Sequence, residues 1–101
     1  MEIDALRIAL LAASAAGYML PHRTHGELEH WLNRELTTDE IEAALVELAA
    51  HGLIEVYARA GGRGWRRIDG RSRADFEEVA FLTTAAGEAI VSARWVEFFP
   101  E

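Results

Sequence analysis

The sequence predicts an α+β fold that is mostly helical: three helices, a β-hairpin and a last helix in a single domain spanning residues 1–101. Three observations predict it. Apolar residues recur at helical spacing up to Gly52, the period changes to that of a strand from Leu53, and helical spacing returns after Thr84. Half of the residues are hydrophobic and 27% are charged, which is typical of a globular domain with one core.

Each of the three predicted leading helices has its own signal. Helix one is apolar over much of its circumference, so it should contact several neighbours; its apolar positions are Ile3, Leu6, Ile8, Leu10, Leu11, Ala13 and Ala15. Thr24 and Glu27 have the spacing of a capping box and predict the start of helix two. Thr37 and Glu40 repeat that spacing at the start of helix three, and Gly52 predicts its left-handed end.

The second half of the chain predicts strands and a final helix. Leu53 to Arg59 alternates apolar and polar residues, and a glycine-rich turn follows at 60–64. Trp65 to Ile68 and Phe76 to Leu82 are both candidates for the returning strand, and the pattern leaves open which of them pairs first. The last helix is capped by Thr83 or Thr84 and either runs to Pro100 or breaks near Arg94.

Two short motifs carry a resemblance to a known family. Leu48-Ala49-Ala50-His51-Gly52-Leu53-Ile54 is similar to the junction between recognition helix and wing in winged helix-turn-helix domains. Leu82-Thr83-Thr84-Ala85-Ala86-Gly87 is similar to the entry of the helix after the wing. The chain therefore resembles MarR-like and PadR-like bacterial regulators over roughly residues 6–90. The resemblance implies a three-helix core, a hairpin wing, DNA binding with helix three in the major groove, and dimerisation through terminal helices.

The charge distribution indicates where DNA contact is expected. The Arg-rich segment (Arg59–Arg73) carries a net charge of +5, and subtracting this from the chain's −7 leaves −12 on the remainder. Contact with polyphosphate must therefore come from this local patch rather than from net charge. The predicted nucleic-acid contacts, to phosphates or the minor groove, are Arg59, Arg63, Trp65, Arg66, Arg67, Arg71 and Arg73. The alternative for this segment is an exposed hairpin whose arginines pair with acids elsewhere and whose Trp65 packs across strands.

Helix three departs from the pattern of the resembling regulators. Reading bases in the major groove needs donors such as Arg, Lys, Asn or Gln, and its expected outward positions carry none. These positions, which we call the α3 outer face, are Asp39, Glu42, Ala43, Val46, Glu47 and Ala50. They are either a solvated helix surface or a docking face for a protein partner. The sequence thus leaves two main functions open: a DNA-binding, transcription-regulator-like protein, or a protein-interaction module that does not bind DNA. A third, ligand sensing or an enzymatic role, would need a pocket, which the sequence does not show.

The terminal segments predict a homodimer. Aromatic residues are concentrated near the C-terminus, and together with the apolar first helix they either close the core or form a self-complementary interface. The residues predicted for that interface are Ile3, Leu10, Val91, Trp95, Phe98 and Phe99.

Several functions are not indicated. The serines lie in no nucleophile motif, and the cluster of His22, His25 and His30 with Glu27 and Glu29 misses both zinc-protease spacings. We therefore expect no enzymatic activity, no metal and no cofactor. The apolar run from Ile8 to Leu20 has thirteen residues, too few to span a bilayer, and the acids before it are unlike a signal peptide. With no cysteine in the chain, the expected location is the cytoplasm.

Overall fold

The computed structural model describes residues 2–15, 17, 21–59, 64–68 and 79–100, with backbone alone at 21–23, 59 and 65. Within these ranges four helices accompany a three-stranded antiparallel sheet, so the fold is a small, mostly helical α+β fold. The elements in chain order are α1 (Ala5–Ala15), α2 (Pro21–Leu32), α3 (Thr38–Ala50), β1 (Ile54–Arg59), β2 (Trp65–Ile68), β3 (Val79–Thr83) and α4 (Ala85–Phe98).

Helix α1 lies at the centre of the helical layer. Asp4 precedes its first turn and accepts a hydrogen bond from the backbone N–H of Arg7 at 3.0 Å, which pairs one of the free donors at the helix start. The helix contacts α2, α3, α4 and β3, which confirms the expectation that it has several neighbours. Its buried residues, on more than one side, are Leu6, Ile8, Ala9, Leu10, Leu11 and Ser14.

Helix α2 begins earlier than the sequence pattern predicts. It starts at Pro21, whose missing N–H is tolerated because the first N–H groups of a helix have no partner within the helix. Thr24 therefore lies inside the helix, and the predicted capping box of Thr24 and Glu27 is wrong. Thr24 and Glu27 have the spacing of a capping box, but α2 already begins three residues before Thr24, with proline in its first turn.

Helix α3 has the two ends that its sequence predicts. Thr37 accepts a hydrogen bond from the Glu40 backbone N–H at 3.1 Å, and the Glu40 carboxylate contacts the Thr37 backbone N–H in return. At the other end Gly52 has a φ of 70°, which favours glycine. The Leu53 N–H donates to the Leu48 carbonyl at 3.0 Å and the Gly52 N–H to the Ala49 carbonyl at 3.1 Å, which is a Schellman motif.

The sheet resolves the pairing that the sequence left open. Its strand order is β2-β1-β3, so both returning strands pair with β1, one on each side. Trp65–Ile68 is confirmed as a strand, and the second candidate is a strand at Val79–Thr83, while residues 76–78 lie outside the described ranges. One face of the sheet closes the core, where Val56 and Phe81 are directly paired and almost fully buried.

The two motifs that carry the family resemblance contact each other at the junction of α3, β1, β3 and α4. Thr84 caps α4 by accepting a hydrogen bond from Gly87, and its hydroxyl donates to the Gly52 carbonyl at 2.8 Å. Its backbone N–H donates to the Leu53 carbonyl at 3.0 Å. A Cβ on Gly87 would lie 2.4 Å from that same Leu53 oxygen and 2.6 Å from Thr83 Cγ2, so only glycine fits here. Helix α4 then continues without a break to Phe98.

A small polar network lies inside the core beside this junction. The Thr83 hydroxyl donates to the Leu11 carbonyl at 2.7 Å, and the Ser14 hydroxyl contacts both Thr83 Oγ1 and the Leu10 carbonyl. Both side chains are buried, and each hydroxyl has its partners. The network therefore joins α1 to β3 without leaving an unpaired polar group in the core.

Candidate functional site

The described part of the Arg-rich segment is β2, an edge strand next to β1. Arg66 pairs with Ala58 and Arg67 pairs with Tyr57, so the two arginines lie on opposite faces of the sheet. Arg66 shares its face with Ile68, which packs against the core, and lies closer to the tip of the β1–β2 hairpin. Both arginines are exposed, and this edge strand of the described sheet therefore carries a cation on each face.

Outside this segment, three arginines whose side chains are described are paired with acids. Arg7 contacts Glu47 at 2.7 Å and Asp4 at 2.9 Å, and the other two ion-paired arginines are Arg34 with Glu40 and Arg94 with Glu97. Among the side chains that the structure describes, Arg66 and Arg67 form no ion pair. The alternative in which the arginines of the segment pair with acids elsewhere therefore does not hold for these two.

The ion pair around Arg7 is the best enclosed of the three. Its side chain is 17% exposed, and Nε and Nη2 both donate to Glu47 Oε2, at 3.0 and 2.7 Å. Burial acts to lower the pKa of Arg7, but the hydrogen bonds to Glu47 and Asp4 outweigh it and raise the pKa above its ordinary value. Arg7 thus stays charged and links α1 to α3.

The remaining predicted nucleic-acid contacts are only partly visible. Arg63, Arg71 and Arg73 lie outside the described residues, and Arg59 and Trp65 are described by their backbones, which pair with each other across the hairpin. This register places both of these residues at the same end of the hairpin as Arg66. Their assignment as contacts stays a prediction.

The α3 outer face is less open than the sequence suggests. Asp39, Ala43 and Ala50 are exposed, but Val46 is half-buried and packs against the core. Glu47 is also half-buried and binds Arg7. Helical spacing does not reveal the Arg7–Glu47 pair, because the partners are forty positions apart and such spacing reports only neighbours within one helix.

A surface depression of about 360 Å³ lies beside this ion pair. It is lined by Glu2, Asp4, Arg7, Glu47 and His51. Arg7 binds two of the three acids, and the described residues contain no group of histidines and acids arranged to hold a metal ion. The depression therefore has a charged lining, but its described residues are not arranged to bind a metal ion.

One histidine of α2, His25, has a local structural contact. His25 Nε2 lies 2.6 Å from the Leu36 carbonyl and 3.5 Å from Glu29, which is four residues further along the same helix face. Glu29 accepts a hydrogen bond from the Leu36 backbone N–H at 2.7 Å. These contacts tie α2 to the connection that leads into α3.

The residues predicted for a dimer interface separate into two groups. Leu10 has no exposed surface, so its assignment to an interface is wrong: it belongs to the core of the single chain. The other five are half-buried, and Ile3, Val91 and Phe99 pack against the core. Trp95 stacks on Phe99 with ring centroids 4.4 Å apart and meets the edge of Trp31 at 6.3 Å. Most of this aromatic surface therefore has partners within the chain.

The opposite side of α4 is open to solvent. Val96 is 65% exposed, the largest exposure of a bulky apolar side chain in the described ranges. Small exposed residues lie beside it on the helix, namely Ala85, Ala86, Ala89, Ser92 and Ala93, and the exposed acids Glu88 and Glu97 flank them. This strip was not part of the predicted interface.

Comparisons with protein-family models, curated proteins and solved structures found no match to this chain. Within the described ranges, none of the helices has the length and apolar character needed to cross a membrane.

Proposed function

We propose that this chain is a non-enzymatic winged-helix DNA-binding protein, similar to transcription regulators, which holds DNA through its β1–β2 hairpin. One observation carries the proposal. Arg66 and Arg67 are exposed on the two faces of an edge strand and form no ion pair among the described residues, whereas Arg7, Arg34 and Arg94 each bind an acid. Guanidinium groups placed in this way are suited to phosphate oxygens on either side of the strand.

The order of elements supports the same proposal. Two helices joined by a short connection, α2 and α3, precede a hairpin that starts directly after the Schellman motif at Gly52. The hydrogen bonds from Thr84 to Gly52 and Leu53 hold the start of the hairpin against α4. In a winged helix the hairpin would be the wing, projecting from a body that is fixed at this junction.

The negative net charge of the chain limits how it can attract DNA. At −7 the whole molecule repels DNA at long range, so attraction must come from cations within a Debye length of phosphate, about 8 Å at physiological salt. Two of the four acids on α3, Glu40 and Glu47, are paired with Arg34 and Arg7. The repulsion between α3 and phosphate is therefore smaller than the sequence alone indicates.

The proposal includes a homodimer acting in the cytoplasm, in which two hairpins would share one DNA molecule. The Cys-free composition is in line with that compartment. The predicted interface retains Ile3, Val91, Trp95, Phe98 and Phe99, and the exposed Val96 on the open side of α4 adds apolar surface next to it. A second hairpin would raise avidity through effective concentration.

The test is fluorescence anisotropy of a labelled mixed-sequence duplex, titrated with the full chain between about 50 and 200 mM salt. The variant combines Arg66→Gln with Arg67→Gln. The matched control combines Arg34→Gln with Arg94→Gln, which changes the net charge equally but removes arginines that are in ion pairs. We expect the hairpin variant to reduce the slope of log K against log salt by about 2, and the control to leave the slope unchanged.

Equal weakening in both variants would mean that only net charge matters, and would contradict a contact at the hairpin. An absence of binding by the unaltered chain at the lowest salt would overturn DNA binding altogether. The second candidate, protein recognition through the α3 outer face, would then lead, and the observation that favours it is the lack of any side-chain donor from Asp39 to Ala50.

A further inference from the structure

The chemistry of α3 limits what the proposed DNA-binding protein can read. From Asp39 to Ala50 the helix contains no Arg, Lys, Asn, Gln, Ser or Thr. Recognition of guanine or adenine in the major groove depends on side chains that donate to base nitrogen and oxygen atoms. The hydroxyl of Thr38, in the first turn, and the imidazole of His51, after the last, lie at the two ends of the helix. The body of α3 cannot supply bidentate base contacts of the kind that Arg, Asn or Gln make.

The acids on this helix are poor substitutes. A carboxylate can accept a hydrogen bond from the amino group of cytosine, but it must then lie between two rows of phosphates. Glu47 already accepts two hydrogen bonds from Arg7 through one oxygen, and Glu40 binds Arg34 and closes the capping box. A base contact from either carboxylate would compete with an existing contact.

The hairpin has the opposite character. Arg66 and Arg67 face opposite sides of β2, and β2 is one of the two edge strands of the sheet within the described ranges. Cations on both faces of one thin edge can meet phosphates without a fixed register against bases, because every step of the sugar–phosphate backbone presents the same charge. Such an edge gives affinity but little discrimination between sequences.

We infer that this protein binds double-stranded DNA through the sugar–phosphate backbone alone, with α3 outside the groove and no discrimination between base sequences. The inference rests on the proposed function and narrows its ligand to duplex DNA of any sequence. The hairpin edge is the contact, and two of the four acids on α3, Glu47 and Glu40, stay in ion pairs with α1 and with the connection from α2.

The first test compares three labelled duplexes of equal length, one rich in G·C, one rich in A·T and one mixed. The full chain is titrated against each by fluorescence anisotropy at one low salt concentration. We expect the three dissociation constants to agree within about threefold, since backbone contacts carry no sequence information. A preference of about tenfold or more for one duplex would overturn the inference, because this is the discrimination that a single good base contact provides.

The second test asks directly whether α3 approaches DNA. Ala43→Glu adds a negative charge to the exposed side of α3, and Ala86→Glu adds the same charge to an exposed position on α4. We expect the two variants to bind the mixed duplex equally, within about twofold, since only the change in net charge is felt at the hairpin. A loss of about tenfold or more that is confined to Ala43→Glu would place α3 against phosphate and overturn the inference. Ala50→Glu repeats the test at the other end of the helix if Ala43→Glu unfolds.

The outcomes separate this inference from the proposed function. Sequence preference, or sensitivity at Ala43, with the hairpin variant still defective, removes the inference and keeps the DNA-binding protein. No binding to any of the three duplexes removes both. Equal binding to all three, lost in the hairpin variant and kept in Ala43→Glu, supports both.

Discussion

Arg7 on α1 and Arg66 on β2 carry the same guanidinium group in opposite settings. Arg7 is largely enclosed and binds Asp4 and Glu47, so its charge holds two helices together. Arg66 is exposed, and like Arg67 it has no acid partner among the described residues. Arginine content alone therefore does not locate a binding surface: three arginines of the helical body have acid partners, and the two hairpin arginines with described side chains have none among the described residues.

The comparison has a direct consequence for mutagenesis. Substitutions in the body should change the free energy of unfolding, whereas substitutions of hairpin arginines should change binding and leave the free energy of unfolding alone.

The largest change in the free energy of unfolding is expected at Gly87, where an added Cβ would meet the backbone of Leu53. In Gly87→Ala the new Cβ would lie 2.4 Å from the Leu53 carbonyl oxygen, and this backbone atom cannot move without disturbing the start of β1. We expect a loss of about 3 kcal/mol in the free energy of unfolding, at the upper end of the usual range for overpacking, measured by urea denaturation.

Gly26→Ala is the matched control for this prediction. Gly26 lies inside α2, and a Cβ there would meet nothing within 4 Å. The same substitution should therefore stabilise the chain by up to about 1 kcal/mol, because alanine favours a helix more than glycine does. If both variants were destabilised alike, the close approach at the junction of α3, β1, β3 and α4 would not be the cause.

A smaller change in the free energy of unfolding is expected at Glu40, and this change depends on pH. The hydrogen bond from Arg34, followed by the one from the Thr37 backbone, lowers the pKa of Glu40 below its ordinary value. A lowered pKa in the folded state gives stability that is present above the ordinary pKa, about 4.3, and is lost as pH falls through the folded value. Between about pH 5 and pH 3 the unaltered chain should therefore lose more stability than Glu40→Gln does.

Denaturation curves at both pH values check this prediction. Glu27→Gln, on the exposed side of α2, is the control, because Glu27 has no ion pair among the described residues. An acid dependence in Glu40→Gln as steep as that of the unaltered chain would show that the capping box and Arg34 do not stabilise the ionised form.

These residues also show what the sequence could and could not predict. Thr37, Glu40 and Gly52 were identified correctly because a helix cap is decided by a few consecutive residues. The capping box predicted at Thr24 was wrong because the same spacing also occurs inside a helix, and α2 already begins at Pro21. The central position of β1 depends on pairing between distant segments, which a local alternation of apolar residues does not record.

At the candidate site too, local patterns were predictable and contacts between distant segments were not. Clustering of arginines is visible in the sequence, so Arg66 and Arg67 were predicted as nucleic-acid contacts. Both are exposed, and the contact itself stays a prediction. The pair between Arg7 and Glu47 was not predictable from spacing, since it joins two helices across the helical layer. Burial of Leu10 was missed as well, because helix one is apolar on several sides and helical spacing does not tell which side meets the core.

The smallest effect on stability is expected from the hairpin itself. Arg66→Gln combined with Arg67→Gln should change the free energy of unfolding by less than about 0.5 kcal/mol, because both side chains are exposed and break no ion pair in the described chain. Arg7→Gln removes one cation instead of two, but it also removes the ion pair with Glu47 that links α1 to α3. It should lower the free energy of unfolding by about 1 kcal/mol. Urea denaturation of the two variants beside the unaltered chain measures both effects. A hairpin variant as unstable as Arg7→Gln would mean that Arg66 and Arg67 have structural partners, and the distinction between body and hairpin would fail. A stable hairpin variant that no longer binds a duplex would show that these two charges act only on a molecule outside the chain.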